Sequence, residues 1–357
     1  MITVAFDSSP LENAHKHRGV GSYTKNLLDK LKTKEELRVL EFNNLNEIKE
    51  AGLVHYPWFD LFFRTLPFKK RFPTIVTVHD VMPLVFPNQH PLGIRGKINL
   101  SVQRYSLLGC KYIITISQTS KKDIIKYLKI PSEKIIVIPE AANEKFKILS
   151  SSEKIRIKNK LKLPDKYILY VGDANFVKNL PVLINSFNEL LKEDRFKDIK
   201  LVLVNGVFLK KVDNIDHPEL MSLKIVNKLI FENHLEDNIL RLGQVDLEDL
   251  VGIYNLATIY VQPSLYEGFG LPVLESFACG CPVVSSNAAS LPEVGGNAAI
   301  YFDPKNPSAL TTILLDVLLD KSLQNNLSNK GLNQVKKFSW ERVADETIKV
   351  YQKALGR

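Results

Sequence analysis

Runs such as YIITIS (112–117), YILYVGD (167–173) and KLVLVNG (200–206) are apolar almost without a break. A strand with one wet face alternates apolar and polar residues. One that is apolar on both faces needs cover on both, which in practice means a parallel sheet with helices on either side. Further β-rich runs occur at ITVAFD (2–7), LRVLEF (37–42), LVHYPW (53–58), TIVTVHD (74–80), IIVIPE (135–140), NILRLGQ (238–244), ATIYVQPS (257–264) and PVVSSN (282–287). Between the early strands lie helical patterns, SYTKNLLDKLK (22–32) and TSKKDIIKYLK (119–129). Later helices are expected near 180–193, 219–233, 246–256, 272–279 and 308–320, with a last one over about 340–355. The alternation specifies doubly wound, Rossmann-like α/β sheets.

It breaks once. AANEKFKILSSSEKIRIKNKLKLPDK (141–166) carries a serine triplet and a dense charge run, and reads as a linker leading into a helix. A chain of 357 residues also exceeds one ordinary core. Two domains are therefore expected, 1–145 and 146–339, with a terminal helix over 340–357 that packs back on the first. Ligands of such sheets bind beyond the carboxyl ends of the strands, so a cleft between the two domains is the expected site.

Composition narrows the partners. Cys110, Cys279 and Cys281 form neither a disulfide framework nor a zinc spacing, which favours a reducing compartment and buried, inert thiols. MITVAFDSSP has no basic region followed by a long apolar stretch, so no signal peptide is expected, and no apolar run is long enough to span a bilayer. The net charge of +9 attracts something anionic. Nucleic acid is disfavoured, because no basic stripe interleaved with aromatics is evident. The stretch LFFRTLPFKKRF (61–72) mixes Phe and Leu with Arg64, Lys69, Lys70 and Arg71, a composition suited to an acidic membrane interface and equally to a charged loop over a core.

The stretch with most chemistry is SLYEGFGLPVLES (264–276), which follows a strand and opens a helix. Pro272 suits the first helical turn, and Gly280 the stop. Gly268 and Gly270 let backbone approach a ligand, and the free N–H groups of the helix start attract an anion. Glu267 in the loop and Glu275 at or just past the first turn can accept from hydroxyls. Amides for phosphate beside carboxylates for hydroxyls suit a sugar nucleotide; a helix-start preference for Glu275 and a turn cap by Glu267 account for the residues equally.

The wider segment SLYEGFGLPVLESFACGCPVVSSNAASLPEVGGNAAIYFDP resembles the signature region of retaining glycosyltransferase family 4, which has the GT-B fold of two Rossmann-like domains facing a cleft. Glu267 and Glu275 match its Glu-x7-Glu motif. The likeness continues upstream through LRLGQVDLEDLVGIYNLATIYVQPS and, more thinly, through the first half of the chain. It implies that Glu275 bonds the nucleotide ribose and that Glu267 lies by the transferred sugar. Backbone groups of Phe269, Gly270 and Leu271 would hold sugar hydroxyls or diphosphate. The first domain would bind the acceptor, and the second the nucleotide sugar.

Three other turns fall into place beside it. In YVGDANFVKNLPVLINSF (170–187), Lys178 precedes a helix and is suited to neutralise a diphosphate leaving group as charge develops. The family usually has an Arg soon after the glycine and an Arg-Lys pair near the turn's end; here Asp173 and Val177 stand instead, leaving Lys178 alone. In HKHRGVGSYTKNL (15–27), Gly19 and Gly21 read as a flexible turn with Ser22 as helix cap. Similar family turns close over the donor diphosphate, and Arg18 is a candidate for the missing charge. In TVHDVMPL (77–84) the resemblance places His79 by the donor sugar and Asp80 at the acceptor or holding the loop.

The expectation is a hexose transferred with retention from GDP-mannose or a UDP-sugar to a glycan or lipid-linked glycan in cell-surface polysaccharide synthesis. It is placed in the cytoplasm at the inner membrane face. No Asp-x-Asp stands where the metal-dependent transferases of the other major fold carry it, and the resemblance implies no metal cofactor. In the implied front-face route the leaving diphosphate takes the acceptor proton. A nucleotide-sugar epimerase of the same fold is the alternative.

Overall fold

In the computed structural model, which describes residues 1–13, 19–91, 93–212 and 220–357, the chain forms two compact units. One comprises Met1–Ala141 with Phe338–Arg357, and the other Ala142–Lys337. The sheet of the first contains β1 (Ile2–Asp7), β2 (Leu37–Phe42), β3 (Leu53–Tyr56), β4 (Thr74–Thr77), β5 (Tyr112–Thr115) and β6 (Ile135–Val137). Its order is β2-β1-β3-β4-β5-β6, parallel throughout. The second has β7 (Tyr167–Val171), β8 (Lys200–Val204), β9 (Ile239–Leu242), β10 (Ile259–Gln262), β11 (Val283–Ser286) and β12 (Ala299–Phe302). Its order is β12-β11-β10-β7-β8-β9, again parallel.

Burial explains why the strands read as unbroken apolar runs. Ile113 and Ile114 of β5, and Tyr167 to Tyr170 of β7, are wholly buried on both faces. The direction of winding reverses between β1 and β3 in the first sheet and between β7 and β10 in the second. At such a reversal two adjacent strands send their outgoing loops to opposite faces and open a crevice at their carboxyl ends.

The serine triplet inside the expected linker starts a helix, Ser151–Leu161. Ser150 caps it and Glu153 bonds back to the Ser150 N–H, a reciprocal capping box. The helix Trp340–Ala354 belongs to the first unit, where it buries Trp340, Val343, Ile348 and Tyr351. Its polar anchor is deep: Tyr351 Oη lies 2.7 Å from His55 Nδ1, and His55 Nε2 lies 3.0 Å from Thr77 Oγ1. Burial, aided by nearby His79, pushes His55 down to about 3, so it is a neutral structural ring.

One local expectation fails. Gly19 and Gly21 are not a free turn, and Ser22 is not a cap; all three lie in the helix Gly19–Leu31. The face built by Tyr23, Thr24, Leu27, Leu28 and Leu31 is buried, and this packing carries the helix back one turn through the glycines. Arg18 lies outside the described residues.

Candidate functional site

In the second unit, the loops leaving β7 and β10 meet at the reversal point. After β7 the chain turns at Gly172, makes a short 3-10 turn Phe176–Lys178, and passes through Asn179 in a left-handed conformation (φ 52°) into the helix Leu180–Leu190. Leu265 N–H donates to Val177 O at 2.7 Å, joining the two loops through backbone. The Asn179 amide donates to Pro263 O (3.1 Å) and Pro304 O (2.8 Å), joining them again. Val177 is buried, so the side chain standing where the family carries a second cation packs inward. Asp173 closes its own turn: it accepts from Ala174 N–H at 2.7 Å, and its carbonyl accepts from Tyr170 Oη at 2.7 Å.

These clamps bring Lys178 and Glu267 together. Lys178 Nζ donates to both carboxylate oxygens of Glu267, at 2.8 and 2.9 Å. Oε1 also accepts from Gln262 Nε2 (2.8 Å) and Ser264 Oγ (2.7 Å). Gln262 is wholly buried and takes the Tyr260 hydroxyl on its oxygen, which orients its amide so that both N–H bonds point at Ser264 and Glu267. Residues 260 and 262 share one face of β10, as period-two geometry requires, and Ser264 follows two residues beyond the strand end. Ser290, also fully buried, shares its one hydroxyl proton between the carbonyls of Glu267 and Phe269, each 2.8 Å from Oγ. The glutamate is thereby fixed from both main chain and side chain.

Beyond it, Gly270 (φ +113°) precedes the helix Leu271–Ala278, with Pro272 in its first turn. A Cβ at Gly270 would meet Leu291 Cδ2 at 2.9 Å, so only glycine lets the chain turn here. Gly280 (φ +70°) follows the helix end, as expected. Glu275 is the fifth helical residue and half-buried. Burial pushes its carboxyl up to about 7, against the hydrogen bond it accepts from Tyr254 Oη at 2.9 Å. Tyr254 stands 5.7 Å, ring to ring, from Tyr260. An aromatic pair thus links the supports of the two glutamates.

In the first unit, polar groups collect beyond the carboxyl ends of β1, β3, β4 and β6. Buried Asp7 accepts from Ser9 N–H (2.9 Å) and Trp58 Nε1 (3.1 Å), across the β1–β3 reversal. Burial raises its carboxyl above the usual range despite those bonds. His79 Nδ1 lies 3.2 Å from Glu140 Oε1 and Nε2 lies 3.1 Å from Pro57 O. Asp80 accepts from Met82 N–H at 2.9 Å and so shapes its own turn.

The structure therefore joins Lys178, Glu267, Phe269 and Gly270 in one loop cluster, and places Glu275 on the helix that leaves it. His79 and Asp80, and separately Gly19 and Gly21, belong to the first unit. Sequence reasoning missed Gln262, Ser290, Tyr254 and Glu140. Gln262 and Ser264 had a signal, two polar residues at alternate places after an otherwise apolar strand. A surface cavity of about 1060 Å³, lined by Lys166, Asp198, Thr258 and Pro282 among others, opens near the amino ends of β7, β8, β10 and β11. That is the wrong end of the sheet for a ligand of this fold.

Two doubly wound parallel sheets in one chain, with a glutamate–lysine pair and a carboxylate-bearing helix at the second reversal point, define a glycosyltransferase of the GT-B class. The chain belongs to the family Glycosyl transferases group 1, whose model matches residues 151–334. The model of Glycosyltransferase Family 4 matches residues 18–145. Among curated relatives, the O-antigen chain mannosyltransferase B of Escherichia coli is 32% identical over 279 residues, covering 78% of this chain and 70% of that protein. The serotype-specific mannosyltransferase WbdA of Escherichia coli is 30% identical over 287 residues, which cover 79% of this chain but only 34% of WbdA. Sucrose-phosphate synthase from Thermosynechococcus elongatus has the same fold, with a TM-score of 0.76 over the whole of both chains at 18% identity.

Proposed function

We propose that the protein transfers mannose from GDP-mannose, with retention of anomeric configuration, to a lipid-linked glycan in the assembly of a cell-surface polysaccharide. The observation that carries this reading is the Lys178–Glu267 pair, held by Gln262, Ser264 and Ser290 beside the opening amides of the Leu271–Ala278 helix. A cation beside a helix start suits a leaving diphosphate, and carboxylates suit sugar and ribose hydroxyls. Glu275 is assigned to the ribose, Glu267 to the transferred sugar, and Lys178 with the Phe269–Leu271 backbone to the diphosphate. Gly19 and Gly21 lie at the start of a helix whose N–H groups are suited to phosphate. In the first unit, His79 is assigned to the sugar and Asp80 to the acceptor. The mannosyl donor is favoured by the two mannosyltransferase relatives. The departing diphosphate is the base for the acceptor hydroxyl, and Lys178 and the amides neutralise it in place of a metal.

The lipid-linked acceptor is supported by an exposed face of the first unit. On the helix Ile94–Leu108, Ile94, Ile98, Tyr105 and Leu108 recur on one stripe and stand 81%, 54%, 63% and 38% exposed. The opposite stripe, Asn99, Gln103 and Ser106, grips residues 60–67 through the carbonyls of Phe62, Asp60 and Pro67. Phe68 stacks on Tyr105 at 5.2 Å, and Phe63 is exposed nearby in sequence. Lys70 and Arg71 bond backbone carbonyls, whereas Arg64, Lys69, Arg95, Lys97 and Arg104 are exposed. Between Asp60 and Asp123 the only acidic residue is Asp80. Exposed apolar residues together with exposed cations suit the surface of an anionic bilayer. Among the described residues no helix is long and apolar enough to cross one.

The test is transfer by the purified protein from a panel of GDP- and UDP-sugars to a short lipid-linked glycan, with the product's anomeric configuration read by NMR. Turnover of GDP-mannose to an α-mannoside, lost in Lys178→Ala, is the expected result. Donor conversion without acceptor would replace the proposal with an epimerase, and turnover only with UDP-sugars would replace its donor.

A further inference from the structure

We propose that Glu140 is a positioning residue that holds His79 doubly protonated, bridging the ends of β3 and β6, so that His79 serves the site by its place and charge and not as a proton acceptor. The inference deepens the transfer reading above, in which the diphosphate takes the acceptor proton. Pro57 O can only accept, so Nε2, 3.1 Å away, must carry a proton. On the other side, 3.2 Å from Nδ1, stands a carboxylate oxygen of Glu140, a side chain 4% exposed. The two ring nitrogens thus face two acceptors. A neutral imidazole has one N–H and satisfies only one of them, whereas imidazolium satisfies both and neutralises a carboxylate taken out of water. Within the pair the proton belongs on the ring, since imidazole is the stronger base.

The surroundings agree from every packed element. From the Gly19–Leu31 helix, Tyr23 sets its ring edge-on to His79 at 4.7 Å, and burial keeps its phenol neutral. From β3 comes neutral His55, so no rival cation stands there. From the turn after β4, Asp80 adds negative charge, and Glu140 itself follows β6. Burial alone would pull His79 down. The bond and charge of Glu140, the Pro57 carbonyl and the charge of Asp80 together carry it above the ordinary histidine value. With both nitrogens committed, the ring cannot take a proton from an acceptor hydroxyl without releasing a protein partner. Its two N–H bonds tie the loop that carries Asp80 to the neighbouring strand ends, and its positive charge is what it offers the sugar.

The experiment is NMR of the ¹⁵N-histidine-labelled, ligand-free full chain, the His79 signals being assigned by their loss in His79→Gln. Two protonated-type ring nitrogens are expected at the ordinary histidine value, about pH 6.5, with titration only above it. In Glu140→Gln one of them should become the unprotonated type at that pH, and Glu140→Asp should restore the pair. Transfer by Glu140→Gln should fall at least roughly tenfold in kcat at about pH 7.5 and recover toward lower pH, with Glu140→Asp again rescuing. A single protonated nitrogen on His79 in the unsubstituted protein, or a Glu140→Gln spectrum identical to it, overturns the proposal. The spectra need no turnover, so absence of transfer would strike the functional reading and leave this one standing.

Discussion

Lys178 and Glu267 form a closed pair, Nζ lying within 2.9 Å of both carboxylate oxygens, and the side chains are 20% and 11% exposed. The two loops that carry them are therefore held by charge as well as by the Leu265–Val177 backbone bond. Removing one partner leaves the other poorly solvated. Lys178→Met and Glu267→Gln should each cost about 1–3 kcal/mol, less than a fully buried pair because water reaches both groups. The double variant should cost less than the sum by about 1 kcal/mol. Chemical denaturation of the four proteins measures this, and strictly additive costs would show that the pair does not couple the loops.

Glu275 supplies a pH dependence whose sign is fixed. Its folded value is raised from 4.5 to about 7, so between those limits the native state binds a proton that the unfolded chain has released. This stabilisation is fully present below pH 4.5 and is lost as pH rises through about 7, with a slope of at most ~1.4 kcal/mol per pH unit. Glu275→Gln should flatten that slope in thermal melts across the same range. If the ribose hydroxyls donate to the ionised form, nucleotide-sugar affinity should rise as pH increases through 7 in the unsubstituted protein and stay level in the variant. Calorimetric titration at several pH values distinguishes them. Tyr254→Phe, which deletes the bond that opposes burial, should move the inflection upward.

Ser290 is a small residue with a large share in the loop's shape. Its one hydroxyl proton is shared between the carbonyls of Glu267 and Phe269, and Ala in its place removes that donor from both. Ser290→Ala should cost about 1–3 kcal/mol. It should weaken nucleotide-sugar binding roughly tenfold, since a loop displaced by less than 1 Å misaims its amides. Gly270→Ala combines a positive φ with a collision at Leu291 and should be the worse of the two. Melting temperature and donor Kd, measured side by side, test the ranking. A Ser290→Ala protein with unchanged Kd would mean the loop keeps its shape without the hydroxyl.

How much of this was legible in the sequence depended on distance along the chain. Strands covered on both faces announce themselves as apolar runs, and Pro272 and Gly280 bracket their helix by conformational rules that act within a few residues. β12 was not read as a strand, because AIYF is four residues long and follows a Gly-Gly-Asn turn. The helix Ile94–Leu108 was missed for a physical reason: it has apolar residues on its exposed stripe as well as its buried one, and so lacks a single 3.6-residue period. Helix Lys321–Val335 is polar nearly all round and seats itself through Leu327 and Gly331, the latter against Phe277. Glu267 and Glu275 were found by their motif. Their supports were not, because Ser290 lies 23 residues from Glu267 and Tyr254 lies 21 from Glu275. Glu140 stands 61 residues from His79, and only the parallel order of β4, β5 and β6 brings them together.

The exposed stripe of the Ile94–Leu108 helix makes a last prediction in which two forces separate. Apolar side chains bind any bilayer they can enter, whereas Arg64, Lys69, Arg95, Lys97 and Arg104 act only on anionic headgroups and only within a Debye length. Ile94→Ser with Ile98→Ser should lower partition onto vesicles of mixed neutral and anionic lipid by about tenfold or more, since each isoleucine can bury on the order of 1 kcal/mol of apolar surface. Arg64→Gln with Arg104→Gln should lower it about tenfold to thirtyfold at low salt, at ~1 kcal/mol for each charge, and by little at high salt. Neither pair should change the melting temperature much, because the four side chains are exposed. Co-sedimentation with vesicles at two salt concentrations reads both terms. Equal binding to purely neutral vesicles, or equal loss from serine substitutions at Ile155 and Phe231, exposed apolar residues elsewhere on the surface, would remove the helix from the docking face.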